Sequence, residues 1–325
     1  MRMRRKMSRI NFSGLKKYTV MFVLVLLMVL FSFASPYFLT FRNLTNIVTQ
    51  NTYFIIVAIG LSFVMIGGGI DLSVGFQMSL VGVVTAMMMV VYNFPVWLAV
   101  VLGLMLGTTL GLINGLIVSN MKVFPLIATL ATSIVYQGIS YMISKANTFR
   151  AYPNEFLFLT RGKILGVPFD VFLTLVIAIL VGIVYSETVF GFRLMALGGN
   201  EEASRLSGIN TRRMKIAIYT LCGFVTAIAT MVMISKANTT NSSFGPGTEF
   251  IALTAAIVGG ISFMGGEGNI PALIAGVFVL AVLGNGMQLA GWGTYAQFIV
   301  RGTILLGAVA FDEYRRNVRQ VMRKK

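Results

Sequence analysis

The stretch Ile66-Gly67-Gly68-Gly69-Ile70-Asp71-Leu72-Ser73-Val74-Gly75 separates two long apolar runs, residues 46–66 and 72–91. An apolar run of about 20 residues can cross the hydrocarbon core of a bilayer as a helix. Three consecutive glycines followed by an aspartate favour the end of one helix and the start of another. Breaks of this kind occur in membrane proteins where the backbone is protected from lipid. The sequence therefore predicts a polytopic membrane protein with a helix break at residues 67–71.

The composition of the whole chain supports this prediction. Of its 325 residues, 57% are hydrophobic and 11% are charged, and the mean hydropathy of +0.85 is far above that of soluble domains. The chain has no His and a single Cys, Cys222, which excludes His-based catalysis, a zinc site and a disulfide framework. The net charge of +16 comes largely from basic clusters at the two ends, which the positive-inside bias explains without nucleic acid.

We predict an all-α fold with about ten membrane helices and both termini in the cytoplasm. The predicted helices lie near residues 18–35, 46–66, 72–91, 95–118, 124–143, 168–186, 214–234, 250–264, 271–290 and 295–311. Ten crossings place both basic ends, and the charged segment 187–215, on the inner side. The basic loop at residues 144–167 fits this count poorly, because the count places it outside.

The predicted domain organisation is correspondingly simple. Residues 1–17 form a basic cytoplasmic tail, residues 18–311 form a single transmembrane domain, and residues 312–325 form a second basic cytoplasmic tail. The longest inner loop of the transmembrane domain covers about residues 187–213. No sizeable soluble domain fits into such a chain.

Two internal similarities are present. Residues 67–75 loosely resemble residues 259–268, which predicts one helix break in each half and an internal pseudo-repeat. The heptapeptide Met142–Thr148 recurs identically at Met233–Thr239. Since the flanking helices do not otherwise align, both coincidence and duplicated function remain open for the heptapeptide.

The predicted spans contain few ionisable side chains. Asp71 lies at a helix break and Asp170 at a helix start. Ion-coupled carriers keep charged groups within the membrane for a purpose, so the sequence favours a transporter that is powered by a partner, or a passive channel. The alternatives are a stand-alone secondary carrier or facilitator and, less well supported, a membrane-embedded enzyme, which lacks His and clustered nucleophiles.

The inner loop predicts a short amphipathic helix. Asn200 suits the N-cap position, Glu201 and Glu202 in the first turn complement the helix dipole, and Gly208 is a natural C-terminal stop. The alternative interpretation is an ordinary interfacial helix that lies among lipid headgroups.

The same loop resembles a known family. Glu202-Ala203-Ser204-x-x-x-Gly208 is similar to the Glu-Ala-Ala-x-x-x-Gly loop of ABC importer permeases. The fuller string of residues 196–210, together with residues 67–75, resembles the ribose, galactose and xylose branch, over about Phe41 to Ala310. Two departures are visible: Ser204 replaces the second Ala, and the Ile-x-Leu-Pro that ends the general motif survives only as Ile218.

The resemblance implies a permease subunit for a monosaccharide in the bacterial cytoplasmic (inner) membrane. It implies as partners ABC ATPase subunits, a second permease copy or paralogue, an extracytoplasmic sugar-binding protein and membrane lipid, but no nucleic acid. The chain would bind no cofactor, because ATP is used by the partner ATPase; the sequence has no Gly-x-x-x-x-Gly-Lys-Ser/Thr phosphate loop. The residues implied to contact that ATPase are Asn200, Glu201, Glu202, Ala203, Ser204, Arg205 and Gly208.

Polar side chains within the predicted spans are candidates for the translocation path, because a sugar needs weak hydrogen-bonding groups along its route. They are Asp71, Gln77, Asn114, Gln137, Asn285 and Gln288. The alternative for each Asn or Gln is a bond to a neighbouring helix, and the alternative for Asp71 is to cap the helix that follows it. The glycine-rich residues 263–269 lack the Lys of a phosphate loop and predict a tight turn on the inner side, in contact with the ATPase.

Overall fold

A computed structural model of the chain describes residues 12–121 and 123–323, with side chains described between residues 19 and 314. The described chain is a bundle of helices. They are α1 (Phe12–Ala34), α2 (Phe41–Gln50), α3 (Thr52–Ile66), α4 (Val74–Val90), α5 (Val96–Asn120), α6 (Pro125–Ser144), α7 (Asn154–Arg161), α8 (Phe169–Glu187), α9 (Val189–Gly199), α10 (Glu201–Leu206), α11 (Thr211–Ala237), α12 (Thr248–Val258), α13 (Ile270–Leu289) and α14 (Thr294–Arg323).

Sheet structure in the described chain is limited to four two-residue strands. They are β1 (Phe149–Arg150), β2 (Lys163–Ile164), β3 (Val167–Pro168) and β4 (Thr239–Thr240). β1 pairs antiparallel with β4, and β2 pairs antiparallel with β3. Because β1 follows α6 and β4 follows α11, the two copies of the repeated heptapeptide lie next to each other.

The prediction of a helical, multi-pass membrane protein is confirmed. Seven helical stretches are long and apolar enough to cross a membrane: Phe41–Ile66, Val96–Asn120, Pro125–Ser144, Phe169–Glu187, Thr211–Ala237, Ile270–Leu289 and Thr294–Tyr314. The other three predicted spans correspond to shorter apolar helices, at Thr19–Ala34, Val74–Val90 and Thr248–Val258. The count of ten crossings and the cytoplasmic location of both termini stay predictions.

Several predicted helix ends are wrong. The run at 46–66 is divided at Asn51 into α2 and α3. α1 begins at Phe12 and α14 continues to Arg323, so residues predicted as tails are helical. Residues 1–11 and 324–325 of the predicted tails lie outside the described residues. α12 ends at Val258, six residues before the predicted end, because Gly259 and Gly260 terminate it.

α5 and α11 pack closely along their length. α5 carries glycines at every fourth position, Gly103, Gly107, Gly111 and Gly115. A methyl group added at Gly107 would lie 2.5 Å from the Ala227 Cβ atom, and one added at Gly111 would overlap the Tyr219 carbonyl oxygen. Small residues at this spacing let the backbones of two membrane helices approach each other.

α3 and α4 lie inside the bundle. Thirteen of the fifteen residues of α3 are buried, and α3 packs against α8, α11, α12 and α13. α4 packs against α5, α6, α11 and α12. The break between α3 and α4 is therefore enclosed by other helices, where its free backbone groups can be satisfied by protein.

Candidate functional site

α3 ends in a Schellman motif, which is a helix end closed by a residue in the left-handed conformation. Gly68 has φ +81°, and its N–H donates to the Met65 carbonyl at 2.9 Å. The Gly69 N–H donates to the Val64 carbonyl, also at 2.9 Å. A side chain at φ near +80° would be strained, which explains the glycine at position 68.

α12 ends in the same motif. Gly260 has φ +84° and donates to the Ile257 carbonyl at 2.9 Å, and the Ile261 N–H donates to the Ala256 carbonyl at 2.9 Å. The same sequence of bonds therefore closes both helices, which supports the predicted similarity of residues 67–75 and 259–268. The similarity ends there, because α4 begins at Val74, six residues after Gly68, whereas α13 begins at Ile270, ten residues after Gly260.

The break between α3 and α4 places the Asp71 side chain in the interior of the bundle, where it is 0% exposed. Asp71 Oδ1 accepts a hydrogen bond from the Ser73 N–H at 2.9 Å and another from the Ser73 hydroxyl at 2.6 Å. Ser73, rather than Asp71, occupies the N-cap position of α4. The Asp71 carboxylate nevertheless accepts a backbone N–H at the start of α4, that of Ser73, so the predicted capping interaction of Asp71 is present.

Ser73 connects Asp71 to two other predicted residues. Its hydroxyl oxygen accepts from Gln77 Nε2 and from Asn114 Nδ2, each at 2.7 Å. The Tyr136 hydroxyl on α6 donates to Asn114 Oδ1 at 3.0 Å. The structure therefore joins Asp71, Gln77 and Asn114, from three separate segments of sequence, in one buried network, which we call the Asp71 network. Ser73 and Tyr136 were not predicted. Ser73 stands two residues after an Asp, a spacing typical of side chain to backbone turns.

Polar donors, rather than a cation, surround the Asp71 carboxylate. Within residues 12–121 and 123–323, no Lys or Arg forms an ion pair with it. A buried carboxylate that lacks a cation depends on hydrogen bonds for its stability. The Asp71 network therefore fixes the geometry of the α3–α4 break.

The other three predicted path residues lie elsewhere. Gln137 Nε2 donates to the Ser242 carbonyl at 2.6 Å. Asn285 on α13 and Asn43 on α2 exchange two amide hydrogen bonds of 2.9 Å, which is the interhelical use of Asn that was the alternative for this residue. Gln288 is exposed. The structure does not bring these side chains to the Asp71 network.

A second polar cluster joins α8 and α11. Lys236 Nζ lies 2.6 Å from Asp170 Oδ2, and the Thr52 hydroxyl donates to the same oxygen at 3.0 Å. Asp170 stood out in the sequence as a charge at a helix start, but its partner Lys236, in the second copy of the repeated heptapeptide, was not predicted. The equivalent residue of the first copy, Lys145, is exposed and left-handed at φ +50°.

A cavity of about 550 Å³ lies between α3, α12 and α14. Five aromatic side chains contribute to its wall, among them Tyr53, Phe250 and Phe298. Arg301 on α14 is half-buried at this cavity. Arg301 was not predicted as a functional residue, although an Arg within an apolar run of a membrane protein indicates a functional position.

The short helix predicted after Asn200 is confirmed as α10. The Asn200 side chain accepts the Ala203 N–H at 2.9 Å, as an N-cap residue does. After α10, Gly208 has φ +84° and donates to the Arg205 carbonyl at 3.0 Å. The helix begins and ends where the sequence predicts.

α10 presents charge to its surroundings. Glu202 and Arg205 form an exposed ion pair of 2.5 Å on one face of the helix. The hydrogen bond and the charge of Arg205 lower the pKa of Glu202 below its ordinary value of 4.5. Glu201 lies 2.7 Å from Lys215 Nζ and so fastens α10 to the first turns of α11. Leu206 is 76% exposed at the end of the helix.

The segment before Asn200, which we predicted as part of a loop, is helical. α9 runs from Val189 to Gly199, with Leu194 and Leu197 almost completely buried. The Thr188 hydroxyl caps α9 by accepting the Gly191 N–H. Because α9 packs into the bundle, α10 is joined directly to the core rather than carried on a loop.

Comparisons with known proteins agree with the resemblance that the sequence suggested. The chain is 34% identical to the L-arabinose transport system permease protein of Escherichia coli (strain K12), over 94% of the chain and 93% of the relative. It is 32% identical to the D-allose transport system permease protein of the same organism, over 91% of each. It is 34% identical to the ribose import permease protein of Bacillus subtilis (strain 168), over 94% of the chain and 95% of the relative.

No solved structure matches the chain. The family model described as branched-chain amino acid transport system / permease component matches residues 43–309, which include the α3–α4 break, α10 and the Asp71 network. The seven apolar helices and this match make the chain a multi-pass protein of the bacterial inner membrane. The chain therefore belongs to the family of branched-chain amino acid transport system permease components.

Proposed function

We propose that the chain is the permease subunit of an ABC importer and that it carries a monosaccharide across the cytoplasmic membrane. The observation that carries this proposal is α10: a capped, charged and exposed helix that is fastened to the core of an otherwise apolar bundle. A stand-alone carrier has no need for such a helix. The relatives named for L-arabinose, D-allose and ribose support a sugar as the substrate.

The proposed partners follow from this role. Separate ATPase subunits bind α10 and its flanks, a second permease copy or paralogue completes the membrane part, and an extracytoplasmic binding protein delivers the sugar. The chain itself is not an enzyme, because ATP hydrolysis belongs to the partner. The proposed contact surface consists of Asn200, Glu201, Glu202, Ala203, Arg205 and Gly208, which are exposed, while Ser204 is buried against the chain and positions the helix.

Asp71, Gln77 and Asn114 act in this proposal as positioning residues beside the path. Their side chains are 0–1% exposed and are joined through Ser73, so they hold the α3–α4 break in one geometry. Weak, exposed polar groups suit passage of a sugar better than a closed network does.

The test is purification of the tagged chain from its native membrane in mild detergent, with mass spectrometry of the proteins that accompany it. We expect an ATPase subunit and a sugar-binding protein, and we expect radiolabelled sugar to enter proteoliposomes only when ATP is supplied on the ATPase side. The ligand that co-purifies with the binding protein then names the sugar.

Two results would contradict the proposal. The first is recovery of the chain without any ATPase under conditions that keep a known ABC importer intact. The second is sugar entry into liposomes that contain this chain alone, at a rate that ATP does not change; this result would favour the stand-alone carrier or facilitator.

A further inference from the structure

α10 is flanked by α9 before it and α11 after it, and both helices reach the same short segment. A methyl group added at Gly67 would meet Leu194 of α9 at 3.3 Å and Ile218 of α11 at 2.5 Å. The Tyr219 hydroxyl of α11 donates to the Ile70 carbonyl at 3.2 Å. Residues 67–70, which lead directly into Asp71, are therefore in contact with the elements on both sides of α10.

A second contact from α9 is made by the backbone itself. Gly198 lies so close to the end of α3 that an added methyl group would overlap the Ile66 carbonyl oxygen and lie 2.5 Å from the Gly266 nitrogen. The Gly266 N–H donates to that same Ile66 carbonyl at 2.8 Å. A methyl group added at Gly265 would lie 2.7 Å from the Gly68 Cα atom.

Four glycines thus meet where α3, α9 and the α12–α13 loop come together: Gly68, Gly198, Gly265 and Gly266. We call this contact the glycine junction. A contact between side chains can absorb a small displacement by a change of rotamer, whereas a backbone-to-backbone contact cannot. A shift of the α9 end therefore requires a shift of the end of α3.

We propose that the glycine junction transmits the displacement of α10 to the α3–α4 break, and that Gly198 is the positioning residue of this transmission. The inference rests on the proposed function, because it assumes that α10 is moved by an ATPase subunit. Tyr219 provides the second connection, from α11 to the Ile70 carbonyl. The displacements of α9 and α11 both act on the Asp71 network in this way, since Ile70 precedes Asp71 directly.

The matched pair of variants is Gly198→Ala and Gly199→Ala. The two positions are adjacent at the end of α9, yet a methyl group added at Gly199 meets nothing within 4 Å. The complex of permease, ATPase and binding protein is reconstituted in proteoliposomes, and sugar uptake and ATP hydrolysis are measured together. For Gly198→Ala we expect bound ATPase and sustained ATP hydrolysis, with the number of sugar molecules per ATP lowered by about tenfold, in the range of coupling between sites. Gly199→Ala keeps the wild-type ratio.

Tyr219→Phe serves as the second variant, since it removes only the hydroxyl group. We expect it to lower the same ratio by about threefold, the effect of one hydrogen bond. A wild-type ratio in Gly198→Ala overturns the inference. If Gly198→Ala does not assemble, a wild-type ratio in Tyr219→Phe overturns it instead. A purely structural role for either residue lowers the amount of complex and leaves the ratio unchanged.

The wild-type protein separates this inference from the proposed function. Absence of an ATPase partner or of ATP-driven uptake in the wild type contradicts the proposed function and this inference with it. Wild-type ATP-driven uptake together with unchanged ratios in both variants contradicts the inference alone.

Discussion

Lys236 and Asp170 form an ion pair of 2.6 Å that joins the end of α11 to the start of α8. The Asp170 side chain is 1% exposed, so its charge is removed from solvent and depends on Lys236 and on the Thr52 hydroxyl. Lys236 also donates to the Thr49 carbonyl, which brings α2 into the same cluster. Three parts of the bundle are thereby fixed to one another at one point.

Lys236→Met leaves the Asp170 carboxylate buried without its cation. Removing one partner of a buried ion pair costs about 3 to 5 kcal/mol, so we expect a strong fall in the thermal unfolding midpoint of the detergent-purified protein. Lys145→Met is the matched control, because Lys145 has the same neighbours in sequence but is exposed. Equal unfolding midpoints for the two variants would contradict a stabilising role for the pair.

The Asn43–Asn285 pair is expected to join α2 and α13 rather than to line the path. A double-mutant cycle with Asn43→Ala and Asn285→Ala measures the interaction free energy. Interhelical hydrogen bonds in membrane proteins average about 0.6 kcal/mol and reach about 1.7 kcal/mol, and we expect a value in this range, with unchanged sugar dependence of uptake in the single variants. Additive effects of the two substitutions on stability, or an altered apparent affinity for sugar, would contradict the interhelical role and support Asn285 as a residue of the translocation path.

Ser73→Ala removes the group through which Asp71, Gln77 and Asn114 are connected. It removes the acceptor of the Gln77 and Asn114 amide donors, which costs about 1 to 3 kcal/mol. It also removes the hydroxyl donor to Asp71 Oδ1, which keeps the backbone N–H of residue 73. We expect a lower unfolding midpoint and reduced uptake per molecule of folded protein. Ser119→Ala is the control, because the Ser119 hydroxyl is exposed and donates only to the adjacent Asn120. A wild-type midpoint in Ser73→Ala would show that the network does not order the break.

Glu202→Lys reverses a charge in the first turn of α10. We expect uptake to be abolished while the amount of protein in the membrane stays normal, because the Glu202 side chain is 65% exposed and contributes nothing to the core. Uptake and immunoblotting of the membrane fraction are measured on the same cells. Normal uptake at normal expression would contradict the assignment of α10 as the contact for the ATPase.

Exchange of the two charges, in Glu202→Arg/Arg205→Glu, separates the stability of α10 from recognition. The exchange restores an ion pair at a spacing of three residues and so restores that contribution to the stability of α10. If uptake depended only on the stability of α10, the double variant would recover uptake. We expect no recovery, because the ATPase recognises the positions of the two charges. The lowered pKa of Glu202 means that its ion pair is present above the ordinary pKa and is lost only as pH falls through the lowered value. Uptake is therefore expected not to change through titration of Glu202 between about pH 6 and pH 8.

Local properties of the chain were predictable from the sequence. The apolar runs of residues 95–118 and 214–234 predict helices, because helix formation in a membrane depends on contiguous hydrophobicity, and the structure has helices at Val96–Asn120 and Thr211–Ala237. The caps of α10 were predictable because Asn200 and Gly208 act on backbone groups only a few residues away. The exact end of α12 was missed because an apolar run does not reveal where two glycines turn the chain.

What the sequence by itself determined, then, is a helical membrane protein of this permease family, with a broken helix at residues 67–71 and a capped helix after Asn200. The tertiary structure alone decided which polar and glycine residues meet. Tyr219 donates to the Ile70 carbonyl, 149 residues away in sequence, and Lys236 pairs with Asp170, 66 residues away. Gly198 contacts the end of α3. These contacts depend on the rotation of each helix about its axis and on where the helices cross. Both quantities are set by the packing of the whole bundle, including the glycine face of α5, and no short stretch of sequence contains them.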